Sequence, residues 1–506
     1  MKIGELFSEL SGEKILKLPA CPSKSGDNSA DIREIAYDSR KIPAGGGVMF
    51  ACFRGVSNDG HDFAKEALRN GASTLLCERE IPGLPADVPM IVVSDVRTSM
   101  GEAASVLYGH PARKMTMIAV TGTNGKTTTA YIIRSVMRSA GFKTGMIGTI
   151  AYDDALCETE ASRTTPEGPD VQRLLASMVQ NGASCCVMEA SSHGLHQGRL
   201  EGCVFDRAGF SNLTIEHLEY HGDMENYFAA KRLLFARYMR GDWRASVNAD
   251  DAYGRRLMSE FPGRTRGFSL ESGDGGLYRC CVTEADIDGT TLVIIFPDGA
   301  RVETRSPFIG AHNVSNVLES VAIADSLDVP REKIARGVSS CAQVPGRLER
   351  YDLGSVSAFV DFAHSPDGLE KALSTLSALK RGKLWILWGA GGDRAPQKRP
   401  IAGEVMARMA DRIVITTDNP RTERPEDIAR QVEAGVISSG VPREYDIILD
   451  RREAVRRTLD AARPGDVVLI AGKGPENYMD FGDHKVHFSD SETILEWAHG
   501  RSGNLC

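Results

Sequence analysis

The residues that point most directly at chemistry are Gly122-Thr123-Asn124-Gly125-Lys126-Thr127-Thr128. Two glycines let the backbone pass close to a ligand, Lys126 brings a full positive charge, and the Thr127 hydroxyl is a ligand type for Mg²⁺. The apolar run Met115 to Val120 before this loop has strand character; after it, Ile132, Ile133, Val136 and Met137 recur at helical spacing. A strand that turns through glycines into a helix N-terminus aims N–H groups and the positive end of the helix dipole at one point, where a phosphate is stabilised. The usual phosphate-loop pattern has a further glycine five residues before Gly125, and Val120 stands there instead. An ordinary glycine-rich turn is the alternative; the strand-loop-helix context favours an ATP site.

Other polar groups follow apolar runs in the same manner. The expected strand Ser184 to Met188 delivers Glu189-Ala190-Ser191-Ser192-His193-Gly194-Leu195, and a later run delivers Ser211 to His221. Open α/β sheets place ligands just past strand C-termini, so Glu189 and His217, from neighbouring strand ends, are candidates to join Thr127 around a cation. Taken singly, each reads more often as a loop residue satisfied by local hydrogen bonds; convergence with the glycine loop lowers that reading. In Tyr227 to Tyr238, Lys231 falls on the apolar stripe formed by Tyr227, Leu234, Phe235 and Tyr238. Either its stem is buried with the ammonium in water, or the amine is desolvated and biased to its neutral, reactive form.

The elements that must position these groups read as α/β throughout. A chain of 506 residues exceeds one core, and a prior of ~150 residues per domain suggests about three. Residues 1–112 form a first unit, with Tyr37-Asp38-Ser39-Arg40, a strand near Val48 to Cys52, and a turn at Asn58 to His61 opening a helix at Phe63 to Leu68. Residues 113–345 form a second, with a strand at Thr144 to Ile150, a helix at Asp170 to Val179, and Gly310 to Asn316 leading into a helix at Val317 to Ala324. Residues 346–506 form a third, doubly wound unit with strands at Ala358 to Phe362, Leu384 to Trp388, Arg412 to Thr416 and Val467 to Ile470. Polar loops at Ala363 to Asp367, Gly391 to Arg394, Asp418 to Arg421 and Gly472 to Glu476 make a second ligand edge there.

The formal net charge of −8 argues against a general nucleic-acid or membrane-surface binder. The N-terminal stretch Met1 to Leu18 mixes charges through a helical apolar pattern, unlike a signal peptide, and no stretch reads as a membrane span. The eleven cysteines form no C-x-x-C pair, so reduced thiols and a cytoplasmic location are the expectations; a monomer is the separate expectation for assembly.

Taken in order, Asp38-Ser39-Arg40, GTNGKTT, Thr164-Thr165-Pro166, EASSHGL, His217, the Lys231 helix, HNVSN, PGRLE, DFAHSPD, GGDR, DNPR and GKGPE resemble the motif set of the Mur ligase family, ATP-dependent amide-forming enzymes of peptidoglycan precursor synthesis. The resemblance implies a UDP-substrate-binding domain, a central P-loop ATPase domain with a parallel sheet, and a Rossmann-like C-terminal domain. It implies ATP and Mg²⁺, and, among family members, those that add meso-2,6-diaminopimelate to UDP-N-acetylmuramoyl-L-alanyl-D-glutamate through an acyl phosphate. By the same resemblance, Ser39, Thr164, Thr165, Ser191, Gln197 and Arg199 hold the UDP substrate. Gly122 to Thr128, Asn313, Arg347 and Asp361 serve ATP, and Thr127, Glu189, His217 and Lys231 as a carbamate serve the metal. Lys126, Lys231 and His217 are the implied catalytic set, and Arg394, Asp418, Asn419, Pro420, Arg421, Gly472 and Glu476 receive the amino acid. The chain departs from the family pattern at Glu216-His217-Leu218-Glu219, at Phe362-Ala363-His364 and at Pro475. The competing expectations are a lysine-adding or folylpolyglutamate-type ligase, and, from a different class, a P-loop regulatory or transport ATPase.

Overall fold

The computed structural model describes residues 1–8, 15–17, 31–55, 58–271 and 273–502. These pack as two compact units, Met1–Cys280 with Ile294–Val302 and Ser315–Val338, and Cys281–Val293 with Glu303–Val314 and Ser339–Cys506.

The first unit holds two sheets. The N-terminal one has five strands in the order Ile15–Lys17, Met90–Val93, Ala72–Cys77, Val48–Cys52 and Glu34–Ala36. All five side chains of Val48–Cys52 are buried, which a mostly parallel sheet covered on both faces requires. The N-terminus is not one helical run: a helix covers Ile3–Ser8 and a strand Ile15–Lys17, while 9–14 and 18 lie outside the described residues.

The second sheet has eight strands in the order Thr265–Phe268, Met239–Asn248, Phe205–Phe210, Thr116–Thr121, Cys185–Glu189, Thr144–Ile147, Ala151–Asp153 and Glu158–Glu160. Its first six strands run parallel; the strand expected to reach Ile150 stops at Ile147 and reverses through Gly148 into antiparallel Ala151–Asp153. Alternate residues Met117, Ala119, Cys186, Met188, Ala208 and Phe210 face one apolar layer shared with Val171, Leu175 and Met178 of the helix Gly168–Gln180. The N-terminal and central sheets are joined by close packing, because Gly101 of the helix Val96–Leu107 and Gly168 approach so nearly that a Cβ on Gly168 would lie 2.7 Å from the Gly101 Cα.

The second unit is built around a six-stranded sheet in the order Glu349–Asp352, Ser357–Asp361, Val467–Ala471, Leu384–Trp388, Arg412–Ile415 and Glu444–Ile447, parallel except for the first strand. Leu384, Ile386 and Trp388 pack with the helices Pro366–Leu379, Lys398–Met409 and Pro425–Ser438. Trp385 and Leu387 point to the other face, where Ala454, Val455 and Leu459 of the helix Arg451–Ala461 cover them with Ile494. Helices on both faces make this unit doubly wound, as expected.

The helix expected at Val317 to Ala324 begins six residues earlier, as Ala311–Asp325, so His312, Asn313 and Asn316 lie on it rather than before it. Gly310, at φ 89°, supplies the break immediately ahead. The described cysteines are free thiols, and no described helix is long and apolar enough to cross a membrane.

Candidate active site

Register sets the geometry of the nucleotide edge. Val120 is level with Glu189 on one side and Gly209 on the other, so the loops after Thr121, Glu189 and Phe210 emerge together. The strands carrying Glu189 and leading to His217 are therefore not neighbours; they flank the strand of the glycine loop. Gly125 turns at φ 92° and caps the 15-residue helix Lys126–Ala140. A side chain there would collide with Asn316 Oδ1, and the positive φ excludes most residues independently.

Lys126 folds over the loop, donating from Nζ to the carbonyls of Gly122 and Thr123, both at 2.9 Å. Asn212 braces the loop from the side. Its carbonyl accepts from Thr123 N at 2.9 Å, and its Oδ1 accepts from Asn124 N at 3.0 Å. Glu189 is fully buried, yet its carboxylate is satisfied: Thr127 Oγ1 and Thr149 Oγ1 donate to Oε2 at 3.0 and 2.9 Å, and Thr149 N donates to Oε1 at 2.8 Å. Thr149 also meets Thr164 at 3.1 Å between hydroxyls, and Thr165 Oγ1 donates to the Glu189 carbonyl at 2.9 Å and accepts from Ser191 N at 3.0 Å. Thr127, Glu189, Thr164, Thr165 and Ser191 are thus brought into one hydrogen-bonded group. A helix N-terminus with a threonine hydroxyl against a buried carboxylate suits a nucleotide phosphate and a hard divalent cation. Among the described residues, no three His, Cys, Asp or Glu side chains are grouped to hold a metal by themselves.

Lys231 is 1% exposed, on the helix Met224–Arg237. Its Nζ donates to the Gly122 carbonyl at 2.6 Å and sits 4.7 Å from the Tyr227 ring centroid. Burial, helped by Lys126, holds this amine well below the usual lysine range. The buried alternative of the sequence reading is the one observed. His217 stands at φ 55° before the short helix Leu218–His221, its ring 5.0 Å from that of His193 and 6.2 Å from that of Tyr227. Partial burial lowers its imidazole, and burial takes His193 down to about 4.

The remaining substrate candidates are more dispersed. Ser39 is buried with Oγ donating to Glu66 at 3.0 Å. Arg199 donates to the Thr165 carbonyl at 2.9 Å and to Gln197 Oε1 at 2.6 Å, and Gln197 with His196, Arg97 and Phe53 lines a cleft of about 320 Å³.

In the second unit, the carboxyl edge carries a tighter cluster. Lys473 is fully buried, and its Nζ donates to Asn419 Oδ1 at 3.0 Å and Glu476 Oε2 at 3.1 Å, with Asp418 Oδ1 at 3.8 Å. Asn419 Nδ2 donates to Glu476 Oε2 at 2.8 Å. Gly472, at φ 109°, leaves the space that Asp418 Oδ2 fills. Arg421 adopts φ 51°, uncommon for a residue other than glycine, and its Nη1 donates to the Gly392 carbonyl at 2.6 Å. Gly392 lies so close under the Pro420 carbonyl that no side chain fits. Arg394 is exposed. Asp361 ends its strand by accepting from Leu348 N at 2.7 Å and Ala363 N at 2.8 Å. Burial raises its carboxyl against the pull of Arg347, which lies over Phe362. Asn313 is buried and donates to the Ile309 carbonyl at 2.9 Å.

Sequence reasoning missed Lys473, Thr149, Tyr227 and Glu319. Lys473 had a local signal, a lysine between two glycines directly after a strand, and Tyr227 lay on the same helical stripe as Lys231; Thr149 and Glu319 are recognisable only once distant segments are brought together.

A glycine loop at the carboxyl edge of a parallel sheet, capping a helix with lysine and threonine, makes the first unit a P-loop nucleotide-binding fold. Comparison narrows this class. Residues 31–108 match the Mur ligase family catalytic domain, 120–324 the Mur ligase middle domain, and 346–474 the Mur ligase glutamate ligase domain. The chain is 42% identical over 469 residues, 91% of its length and 93% of the relative's, to UDP-N-acetylmuramoyl-L-alanyl-D-glutamate–2,6-diaminopimelate ligase of Geobacillus kaustophilus. It is 38% identical to the ligase of the same name from Bacillus licheniformis, over 93% of this chain and 95% of that one. A solved structure of a ligase of that name superposes with a TM-score of 0.67 at 31% identity, covering 93% of this chain and 95% of the other. The MurF ligase of Thermotoga maritima, solved in complex with ADP, shares the fold with a TM-score of 0.63 at 19% identity, over 94% of this chain and all of that one. The chain belongs to the Mur ligase family, and its three-domain α/β fold and ligase class follow from that membership.

Proposed function

We propose that this protein joins meso-2,6-diaminopimelate to the D-glutamyl γ-carboxylate of UDP-N-acetylmuramoyl-L-alanyl-D-glutamate, using ATP and Mg²⁺ and releasing ADP and phosphate, in peptidoglycan precursor synthesis. The observation that carries this reading is the second-unit cluster of Asp418, Asn419, Arg421 and Glu476, whose carboxylates, amide and guanidinium match an amino acid with ammonium and carboxylate groups at both ends. The near-full-length similarity to ligases of that name supports it.

A carboxylate is a poor acyl donor, and bound MgATP supplies the phosphoryl group that makes it an acyl phosphate. In this reading Lys126 stabilises charge on the phosphoryl oxygens, and the Gly122 to Thr128 loop orients them through backbone N–H groups. Thr127 and Glu189, already 3.0 Å apart, would hold the magnesium with His217 and a carbamate on Lys231. The carbamate forms when the neutral Nζ attacks CO₂ and releases one proton, giving an anionic oxygen ligand where the bare amine has only a carbonyl and a ring. Asn313, Arg347 and Asp361 serve the nucleotide. Ser39, Thr164, Thr165, Ser191, Gln197 and Arg199 hold the UDP substrate, and Arg394, Pro420 and Gly472 complete the amino-acid loops. The same reading sets domains at 1–112, 113–345 and 346–506, with a cytoplasmic monomer as the working form.

The test is phosphate release from ATP with UDP-N-acetylmuramoyl-L-alanyl-D-glutamate and each of several amino acids. Release that needs both the UDP substrate and diaminopimelate is expected; release independent of either would overturn the reading.

A further inference from the structure

Glu319 is a buried carboxyl that the proposed chemistry does not use. It lies on the helix Ala311–Asp325 with 0% exposure, and its Oε2 accepts from Ser211 Oγ at 2.7 Å and from Thr129 Oγ1 at 3.3 Å. Those two hydroxyls belong to the structure that shapes the phosphate loop. Thr129 is in the first turn of the P-loop helix, its N–H donating to the Gly125 carbonyl at 2.9 Å. Ser211 adjoins Asn212, the residue that braces Thr123 and Asn124. One turn earlier on the same helix, Asn316 lies against Gly125.

The other carboxyl oxygen, Oε1, makes no hydrogen bond. It faces Gly209 and the Ile323 side chain, and any side chain at position 209 would collide with it. The glycine therefore clears room for a carboxyl oxygen beside an apolar side chain, where a negative charge costs much more than a neutral acid does. We propose that Glu319 is a positioning residue of the nucleotide loop that works as a neutral carboxylic acid, tying Ser211 to Thr129, and that its ionisation opposes nucleotide binding. Burial pushes its carboxyl up to about 8, with the two hydroxyls and Lys126 pulling the other way. Among the described residues, Lys126 is the charged group acting on it; Ser211, Thr129 and Gly209, from the elements packed around it, are neutral.

The sign follows directly. With its carboxyl pushed up to about 8, the acid is mostly neutral near pH 7, and the loop then presents its N–H groups and Lys126 undiminished. At higher pH, an anion behind the loop repels the nucleotide's phosphates and competes for the Lys126 field.

The inference rests on the nucleotide-site reading, so the test separates the two. MgADP binding to the full chain is measured by calorimetry from pH 7.5 to 9.5, where the nucleotide's own phosphates no longer titrate. The Kd of the native protein is expected to rise roughly tenfold over that range. In Glu319→Gln, which keeps the shape and carries no charge, the Kd should not follow pH, and the KM for ATP should lose its alkaline rise while kcat keeps its profile. A flat native Kd, or a parallel rise in the variant, overturns the role of Glu319; the native measurement suffices if the variant does not fold. No MgADP binding at pH 7.5 overturns the nucleotide site itself, and this inference with it.

Discussion

Lys231 in the first unit and Lys473 in the second are equally hidden, at 1% and 0% exposure, but they answer to different partners. Lys473 meets an amide oxygen and two carboxylates, so its ammonium is neutralised where it sits. Lys231 meets one neutral carbonyl and an aromatic face, with another cation nearby to disfavour its charge. Burial by itself does not say what a lysine is for; the charge of its acceptors does. The arrangement at Lys473 ties neighbouring side chains together, and the one at Lys231 biases the amine toward its neutral form.

The comparison can be broken most sharply at Lys126, the cation that separates the two cases. Lys126→Ala should retain its fold by circular dichroism and lose ATP-dependent product formation by about a thousandfold or more. Near-normal turnover would remove the phosphate-loop assignment. On the second-unit side, Arg421→Ala should lower kcat/KM for diaminopimelate roughly a hundredfold while barely altering the weak use of L-lysine, because a second carboxylate loses its bidentate partner. Equal losses for both amino acids would make Arg421 a structural residue.

Lys231→Ala should lower activity about tenfold or more at limiting magnesium, and less when magnesium is abundant, if the carbamate is a metal ligand. Labelled CO₂ should give a carbamate carbon signal in the native protein that the variant lacks; full activity at limiting magnesium would sink the modification. The smallest effect is expected for Lys473→Met, which leaves Glu476 without its ammonium. Thermal unfolding should report a loss of about 1–3 kcal/mol, with the KM for the amino acid raised several-fold and that for ATP unchanged. If the KM for ATP moved equally, Lys473 would not be specific to its own loops.

Much of this was readable along the chain because strand ends announce themselves: an apolar run, then glycine and polar residues, as in Leu384 to Trp388 followed by Gly391 to Arg394. The helix Ala311–Asp325 was read short because His312, Asn313, Ser315 and Asn316 are poor helix formers, and only tertiary packing pays for their place in it. Thr129 and Glu319 stand 190 positions apart, and Arg451 and Asp490, which pair with two 2.8 Å bonds inside the second unit, stand 39 apart. No local pattern marks such pairs. His217 was read beside Glu189 because both follow apolar runs, whereas strand order decides adjacency, and order is not local.

The fit of Gly392 beneath Pro420, with Arg421 bonded back to the Gly392 carbonyl, has a consequence for anyone testing whether these loops set the proposed amino-acid preference. Residues 391–394 and 418–421 behave as two halves of a single clasp, so a library that randomises one half while holding the other constant will mostly sample broken clasps. Useful diversity should come from exchanging both halves together, as matched pairs taken from one donor sequence.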